Sequence, residues 1–195
     1  PLIERLQRSH LPVVLMADGA PGLPSIIADD WDGARQVAQY LHDKGHRRVV
    51  YRAINRYHAA GVRRRDGFHA AAQALGLTTT FLKADYAPWQ PEELALLSRE
   101  NPHRATAVVC WCDEWADATV SSCHAHGLRV PHDVAVIGFN GVEPEQTPLL
   151  RRTSIRIPWR EVGRLAVEQL MQQLAGETPA METVMPVSLI AGDTA

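Results

Sequence analysis

The chain has 195 residues, 46% of them hydrophobic, and its 20 basic and 22 acidic residues give a formal net charge of −2 at pH 7. A chain of this length and composition can bury a substantial core. No apolar run approaches the roughly 20 residues that a membrane span needs, and no signal-peptide pattern opens the chain. The basic residues are spread out, apart from residues 63–65, which argues against a nucleic-acid-binding surface.

Six short runs rich in Val, Ile and aromatic residues predict β-strands. Most of them lack polar alternation, which is typical of a parallel sheet covered by helices on both faces. In chain order these runs are residues 12–16, 25–28, 48–53, 80–83, 106–111 and 134–139.

Helical patterns lie between the predicted strands. Three of them, 34–41, 64–75 and 114–126, are followed by a glycine in the place of a C-terminal cap. A fourth predicted helix, 91–100, opens with Pro91 and two glutamates, which complement the helix dipole. At least four successive strand–helix units predict a doubly wound α/β fold with a parallel sheet.

Three polar or aromatic positions follow the apolar runs directly. Ligands bind beyond the carboxyl ends of the strands in such sheets, so these positions are candidates for a binding site. Asn140 ends the stretch "DVAVIGFNG" (133–141), residues 111–113 end another run, and Tyr86 lies just beyond a third. The alternative for the Gly-Phe-Asn-Gly sequence is a simple turn, because Asn and Gly are common turn formers.

Three cysteines, an odd number, indicate a reducing compartment, and we expect a cytoplasmic protein. A zinc site is not expected, because the spacing of the cysteines and nearby histidines fits no structural zinc motif; the residues are Cys110, Cys112, Cys123, His124 and His126. No phosphate-binding glycine loop and no Gly-x-Ser-x-Gly elbow occurs. The sequence therefore predicts no enzyme, no cofactor and no metal.

Four stretches together resemble a known family. They are "ADDWDGARQVAQYLHDKGHRRVV" (28–50), "RRRDGFHAAAQALGL" (63–77), "GLRVPHDVAVIGFNG" (127–141) and "EVGRLAVEQLMQQL" (161–174). In order and spacing they resemble the effector-binding core of the LacI/GalR family of bacterial transcriptional regulators, over nearly the whole chain.

The resemblance implies a fold of the periplasmic-binding-protein-like type, with one complete subdomain and part of a second. Residues 1–29 would form part of the N-terminal subdomain, and 30–150 the C-terminal effector-binding subdomain. Residues 151–195 would be a return segment shared between both. The helix-turn-helix domain that reads DNA in this family would lie outside these residues.

The resemblance also implies a function. A small effector, here expected to be a sugar, would bind in the cleft between the subdomains of a homodimer. Operator DNA would be contacted only through the absent N-terminal domain, with no membrane contact. Induction and co-repression stay equally open. A periplasmic sugar-binding protein of an ABC transporter shares the fold and is the alternative, against which the unpaired cysteines argue.

Two polar residues match the family's ligand-binding positions. Arg64 would hydrogen-bond effector hydroxyl or carboxylate groups through its guanidinium fork. Asn140 stands where most members have aspartate, and its amide can both donate and accept hydrogen bonds. We expect neither residue to fill the core, so that substitutions leave the stability of the ligand-free protein unchanged.

Four further positions are implied. Tyr86 would pack on the face of the ligand. Asp113 matches the aspartate of the family's Asn-Asp pair, but Cys112 replaces the asparagine, and stacking by Trp111 would compensate. Asp29 would be either a ligand contact or the N-cap of a helix from Trp31.

Overall fold

The computed structural model describes residues 2–9, 11–54, 58–84, 89–142 and 150–195. The helices are α1 (Leu2–Arg8), α2 (Asp30–Asp43), α3 (Ala59–Ala74), α4 (Pro91–Leu94), α5 (Asp113–Ala125) and α6 (Trp159–Leu174). The strands are β1 (Leu15–Ala17), β2 (Ser25–Ala28), β3 (Arg48–Ile54), β4 (Thr78–Ala84), β5 (Ala107–Cys110), β6 (Ala135–Asn140), β7 (Thr153–Arg156), β8 (Glu182–Met185) and β9 (Ser188–Ile190). In these ranges, no helix is both long enough and apolar enough to traverse a bilayer.

The chain folds into two compact units. The smaller unit consists of Pro1–Asp29 and Ile157–Val187, and the larger unit of Asp30–Arg156 and Ser188–Ala195. The chain thus crosses between the units three times. The segment from residue 151 onward contributes to both units, because its strands β7 and β9 belong to the larger one and β8 to the smaller one.

The smaller unit contains a three-stranded parallel sheet in the order β1-β2-β8. The central strand β2 is buried along its whole length, and α6 packs on β1 and β2. The side-chain amide of Gln173 on α6 donates to the Val13 carbonyl (3.0 Å) and accepts from the Val13 N–H (3.1 Å). Because α6 takes both backbone groups of Val13, the first strand begins at Leu15, and the predicted strand over 12–16 is wrong at its start.

The larger unit contains a six-stranded sheet in the order β4-β3-β5-β6-β7-β9. All neighbouring strands are parallel except β7 and β9. Successive side chains of a strand point to opposite faces, so β3 packs against helices on both faces of the sheet. Tyr51 packs against Phe68 of α3, with ring centroids 5.2 Å apart, whereas Val50 joins the cluster of Trp115 and Cys123 from α5. The predicted doubly wound α/β fold is confirmed.

One predicted helix is much shorter than expected. The pattern predicts a helix over 91–100, but α4 ends at Leu94. The carbonyl of Ala95 accepts from the Asn101 side chain (3.1 Å), and that of Leu96 accepts from the Ala105 N–H (2.8 Å). In a continued helix each carbonyl would accept from the N–H four residues later. Here both carbonyls accept from residues further along the chain, so the helix ends.

Candidate functional site

Four predicted site residues of the larger unit lie at the carboxyl edge of its sheet. Trp111 follows β5 directly, Asp113 begins α5, and Asn140 is the last residue of β6. Arg64, in the second turn of α3, reaches the same edge: its Nη1 donates to the Trp111 carbonyl (2.8 Å) and its Cζ lies 3.9 Å from the centroid of the Phe139 ring. The structure therefore brings Arg64 and the ends of β5 and β6 together.

Arg64 is a buried residue with protein partners. It is 4% exposed, so the expectation that it lies outside the core is wrong. Its Nε donates to Asp30 Oδ1 (2.7 Å), and Asp30 Oδ2 accepts from Nε and Nη2 of Arg63 (2.9 and 2.7 Å). A carboxylate at the N-terminus of α2 therefore holds two guanidinium groups of α3.

Asp30 was not among the site residues expected from the sequence. Its side chain is fully buried, and a buried carboxylate needs charged or hydrogen-bonding partners. One signal in the sequence could have indicated this contact: the acidic pair Asp29 and Asp30 at the start of a predicted helix, together with the run of arginines at 63–65. An acidic side chain is stabilised in the first turn of a helix, but only the tertiary structure places residues 30 and 64 in contact.

The two glycines that flank Phe139 and Asn140 are explained by close contacts. A Cβ on Gly138 would stand 2.4 Å from Oδ1 of Asp113, and a Cβ on Gly141 would stand 2.5 Å from the Cα of Arg156. Gly141 has a φ of +61 and Asn140 a φ of +119, a region that L side chains rarely adopt. Asn140 pairs with Arg156 as the end of a strand, so this sequence is a strand end. Residues 140–142, with their two positive φ angles, are named the turn after β6.

Asp113 is tied to that turn. Its Oδ2 accepts from the Val142 N–H (2.9 Å) and its Oδ1 from the Ser154 hydroxyl (2.5 Å), while Arg152 Nη2 lies 3.7 Å from Oδ2. Burial raises the pKa of Asp113 above the usual range of a carboxyl group, although these hydrogen bonds and Arg152 oppose the shift. Both oxygens of Asp113 are thus occupied by groups of the protein.

Trp111 offers an aromatic surface at the same edge. Its indole is partly exposed, lies 5.2 Å from the His58 ring and meets Trp115 edge-on at 6.0 Å. The indole Nε1 is buried and has no hydrogen-bond acceptor within the ranges that the structure describes. Cys112, beside it, is buried and occupies the N-cap position of α5 without a side-chain cap bond.

The two remaining predicted positions are Asp29 and Tyr86. Asp29 belongs to the smaller unit, where its N–H donates to the Met185 carbonyl (2.9 Å). It directly precedes α2, which begins one residue earlier than the helix expected from Trp31, so that the cap and the ligand contact both stay open for Asp29. Tyr86 lies outside the described residues.

The three cysteines are free and buried. Burial raises the pKa of Cys110 to about 12 and that of Cys123 to about 11, so both are protonated at neutral pH. In the part of the chain that the structure covers, no three His, Cys, Asp or Glu side chains lie close enough together to hold a metal ion.

Known proteins are similar to this chain over most of its length. A family model described as "periplasmic binding protein-like domain" matches residues 38–195. The HTH-type transcriptional regulator GntR of Escherichia coli (strain K12) is 27% identical over 186 residues, which are 92% of this chain and 56% of the relative. The chain therefore spans little more than half the length of this curated relative.

Solved structures agree. A LacI transcriptional regulator from a Rhodococcus species is 26% identical, with a TM-score of 0.82 over 100% of this chain and 72% of that one. A LacI family regulator from Enterococcus faecium with bound ribose has a TM-score of 0.81 over 100% of this chain and 74% of that one. At 18% identity, this second structure shows the fold alone. The predicted resemblance to the effector-binding core of LacI/GalR regulators is confirmed, and the chain belongs to the periplasmic binding protein-like domain family.

Proposed function

We propose that this chain is the effector-binding and dimerisation core of a LacI-type transcriptional regulator. It binds a small polar ligand, a sugar, and modulates DNA binding by a helix-turn-helix domain outside these residues. One observation carries the proposal: the family match over 38–195 includes every strand end that forms the carboxyl edge with Arg64, Trp111 and Asn140. The protein has no catalytic role in this proposal.

The chemistry of this edge suits a neutral polyol. The buried carboxylates Asp30 and Asp113 are occupied by arginine, serine and backbone donors, so that they do not face the ligand as free anions. Asn140 supplies an amide that donates and accepts, as sugar hydroxyl groups do. Trp111 supplies a flat apolar surface on which the C–H face of a sugar ring can pack.

Arg64 has a narrower role than its position alone suggests. Its Nε and Nη1 are used by Asp30 and Trp111. Among the residues that the structure describes, Nη2 has no hydrogen-bond partner, and we propose it as the group that meets a ligand oxygen. Asp113 supports the same edge through its hydrogen bonds to Val142 and Ser154. Tyr86 and Asp29 stay predictions as ligand contacts, Tyr86 for the face of the ring and Asp29 as an acceptor.

The decisive experiment is a thermal-shift screen of the chain with monosaccharides, disaccharides, sugar phosphates, sugar acids and purines, followed by calorimetric titration of each hit. Asn140→Ala is expected to weaken binding of the hit about 2- to 10-fold, because a neutral hydrogen bond contributes about 0.5–1.5 kcal/mol. Gln73→Ala, on the exposed side of α3, is the matched control and keeps wild-type affinity. Binding of purines alone would contradict the proposal that the ligand is a sugar, and turnover of a hit would contradict the non-catalytic role.

The regulatory part of the proposal has its own tests. A ligand alters DNA binding only if it binds one conformation of the regulator more tightly than another. Sedimentation is expected to show a homodimer, and this chain alone is expected to give no sequence-specific gel shift, because its net charge is −2. The cytoplasm is the proposed compartment, since the cysteines are free thiols. A signal peptide encoded upstream of residue 1 would contradict it and favour a periplasmic sugar-binding protein.

A further inference from the structure

The turn after β6 has an unfavourable backbone conformation. Asn140 has a φ of +119 and Gly141 a φ of +61. Glycine adopts positive φ at little cost, but a residue with a Cβ does so at a cost in free energy. Such a conformation persists only where the surrounding structure holds it in place. The side chains that hold this turn therefore bear on what Asn140 does.

Three side chains hold the turn by its backbone. Asp113 Oδ2 accepts from the Val142 N–H (2.9 Å), and the Ser154 hydroxyl accepts from the Gly141 N–H (3.3 Å) while it donates to Asp113 Oδ1 (2.5 Å). Arg152 donates to the Val142 carbonyl and to Asp117. Two successive N–H groups and one carbonyl after Asn140 are thus fixed from α5, β7 and the residue before β7.

Asp113 is placed to serve this turn and not a ligand. Its side chain is 7% exposed, and its Oδ1 lies so close to the β6 backbone that a Cβ on Gly138 would stand only 2.4 Å away. The carboxylate is therefore packed onto the strand, with both oxygens bonded. Asp113 matches a ligand-binding position in the sequence, but its contacts in the structure are those of a support.

We propose that Asp113 is a positioning residue. Together with Ser154 and Arg152 it holds the turn at Asn140, Gly141 and Val142 in its strained conformation, and it affects ligand binding through Asn140 instead of touching the ligand. The proposal rests on the proposed function in one respect, which is that Asn140 contacts the ligand. The strain and the clamp that holds it are properties of the ligand-free protein, and they are tested without any ligand.

The test is a set of thermal unfolding midpoints. Asn140→Gly and Asn140→Ala both remove the amide, but only glycine relieves the positive φ. In the otherwise wild-type chain, the glycine variant is expected to unfold about 2–4 °C above the alanine variant. In the Asp113→Asn background, where the clamp is weakened, the turn relaxes and this difference is expected to fall below about 1 °C.

Gly176 provides the matched control. It also has a positive φ, +80, and its added Cβ would meet nothing within 4 Å. Gly176→Ala is expected to lower the midpoint equally in the wild-type and Asp113→Asn backgrounds. Should Asp113→Asn fail to fold, Ser154→Ala replaces it, since it removes the hydroxyl that bonds Asp113 and Gly141. Two results overturn the proposal. The first is that the Asn140→Gly and Asn140→Ala variants have the same unfolding midpoint in the otherwise wild-type chain. The second is that their difference in midpoint is as large in the Asp113→Asn background, or in the Ser154→Ala background that replaces it, as in the otherwise wild-type chain.

A spectroscopic measurement distinguishes an Asp113 that positions Asn140 from an Asp113 that only stabilises the fold. The ¹⁵N side-chain amide resonance of Asn140 is expected to shift in Asp113→Asn but not in Gly176→Ala, whereas a purely structural Asp113 would lower stability and leave that resonance in place. Failure to find any sugar that binds the wild type would count against the proposed function, and would leave the midpoints and the resonance unaffected.

Discussion

Arg64 and Asp30 are joined in the larger unit by a 2.7 Å hydrogen bond between Nε and Oδ1, with side chains that are 5% and 0% exposed. The same guanidinium donates to the Trp111 carbonyl and lies over the Phe139 ring. Arg64 thus links the start of α2 to the ends of β5 and β6. A ligand that shifted the Arg64 side chain would therefore alter its contacts with all three elements.

Arg64→Ala is expected to destabilise the ligand-free protein by about 3–5 kcal/mol, because removal of one partner leaves a buried charge with fewer contacts. Urea unfolding measures this loss. Arg63→Ala is the matched control: Arg63 binds the same carboxylate, but its side chain is 31% exposed, so we expect a loss of about 1 kcal/mol. Wild-type stability of Arg64→Ala would show that the ion pair contributes nothing to the fold.

The sequence predicted the elements better than it predicted the contacts of the site. Apolar runs such as residues 134–139 determine buried strands, because burial on both faces requires apolar side chains at successive positions. The position of Asn140 at a strand end follows from that run. The Asp30–Arg64 and Asp113–Ser154 contacts join residues 34 and 41 positions apart. No local period encodes such pairs, so Arg64 was expected to lie outside the core although it is buried.

Gly138→Ala is expected to destabilise the protein by about 1–3 kcal/mol, since the new methyl group would overlap Oδ1 of Asp113 in a packed region. Gly163→Ala is the control. Gly163 lies within α6, and its added Cβ would meet nothing within 4 Å, so alanine is expected to stabilise the protein by up to about 1 kcal/mol. Denaturant midpoints of the two variants should move in opposite directions. A Gly138→Ala protein as stable as wild type would show that β6 and α5 can separate freely.

The cysteines are expected to be unreactive in the native protein. Cys110, Cys112 and Cys123 are buried, and burial raises the pKa of each thiol, to about 12 for Cys110 and about 11 for Cys123. Because the thiolate is the nucleophile, a disulfide reagent at pH 8 should modify the folded chain very slowly and all three thiols promptly in denaturant. Rapid modification of one thiol in the native state would indicate local opening around α5.

Asp133 is expected to make stability depend on pH at the acidic end. Hydrogen bonds from the Arg129 side chain, from Arg99 and from the Arg129 N–H hold the pKa of this carboxyl far below its usual range. An aspartate in the unfolded chain titrates near pH 3.9.

Since the folded-state pKa is the lower one, the unfolded state binds more protons at acidic pH. The stabilisation by Asp133 is therefore complete only above about pH 5, and it is lost as the pH falls through the unfolded-state pKa near 3.9 toward the folded-state pKa. Asp133→Asn should lower the unfolding midpoint at pH 6, and its difference from wild type should narrow progressively between about pH 4 and pH 3. Glu114→Gln, at an exposed position of α5, controls for the loss of one negative charge. A difference between Asp133→Asn and wild type that stays constant from pH 6 to pH 3 would show that Asp133 stabilises the loop before β6 by packing and not by its charge.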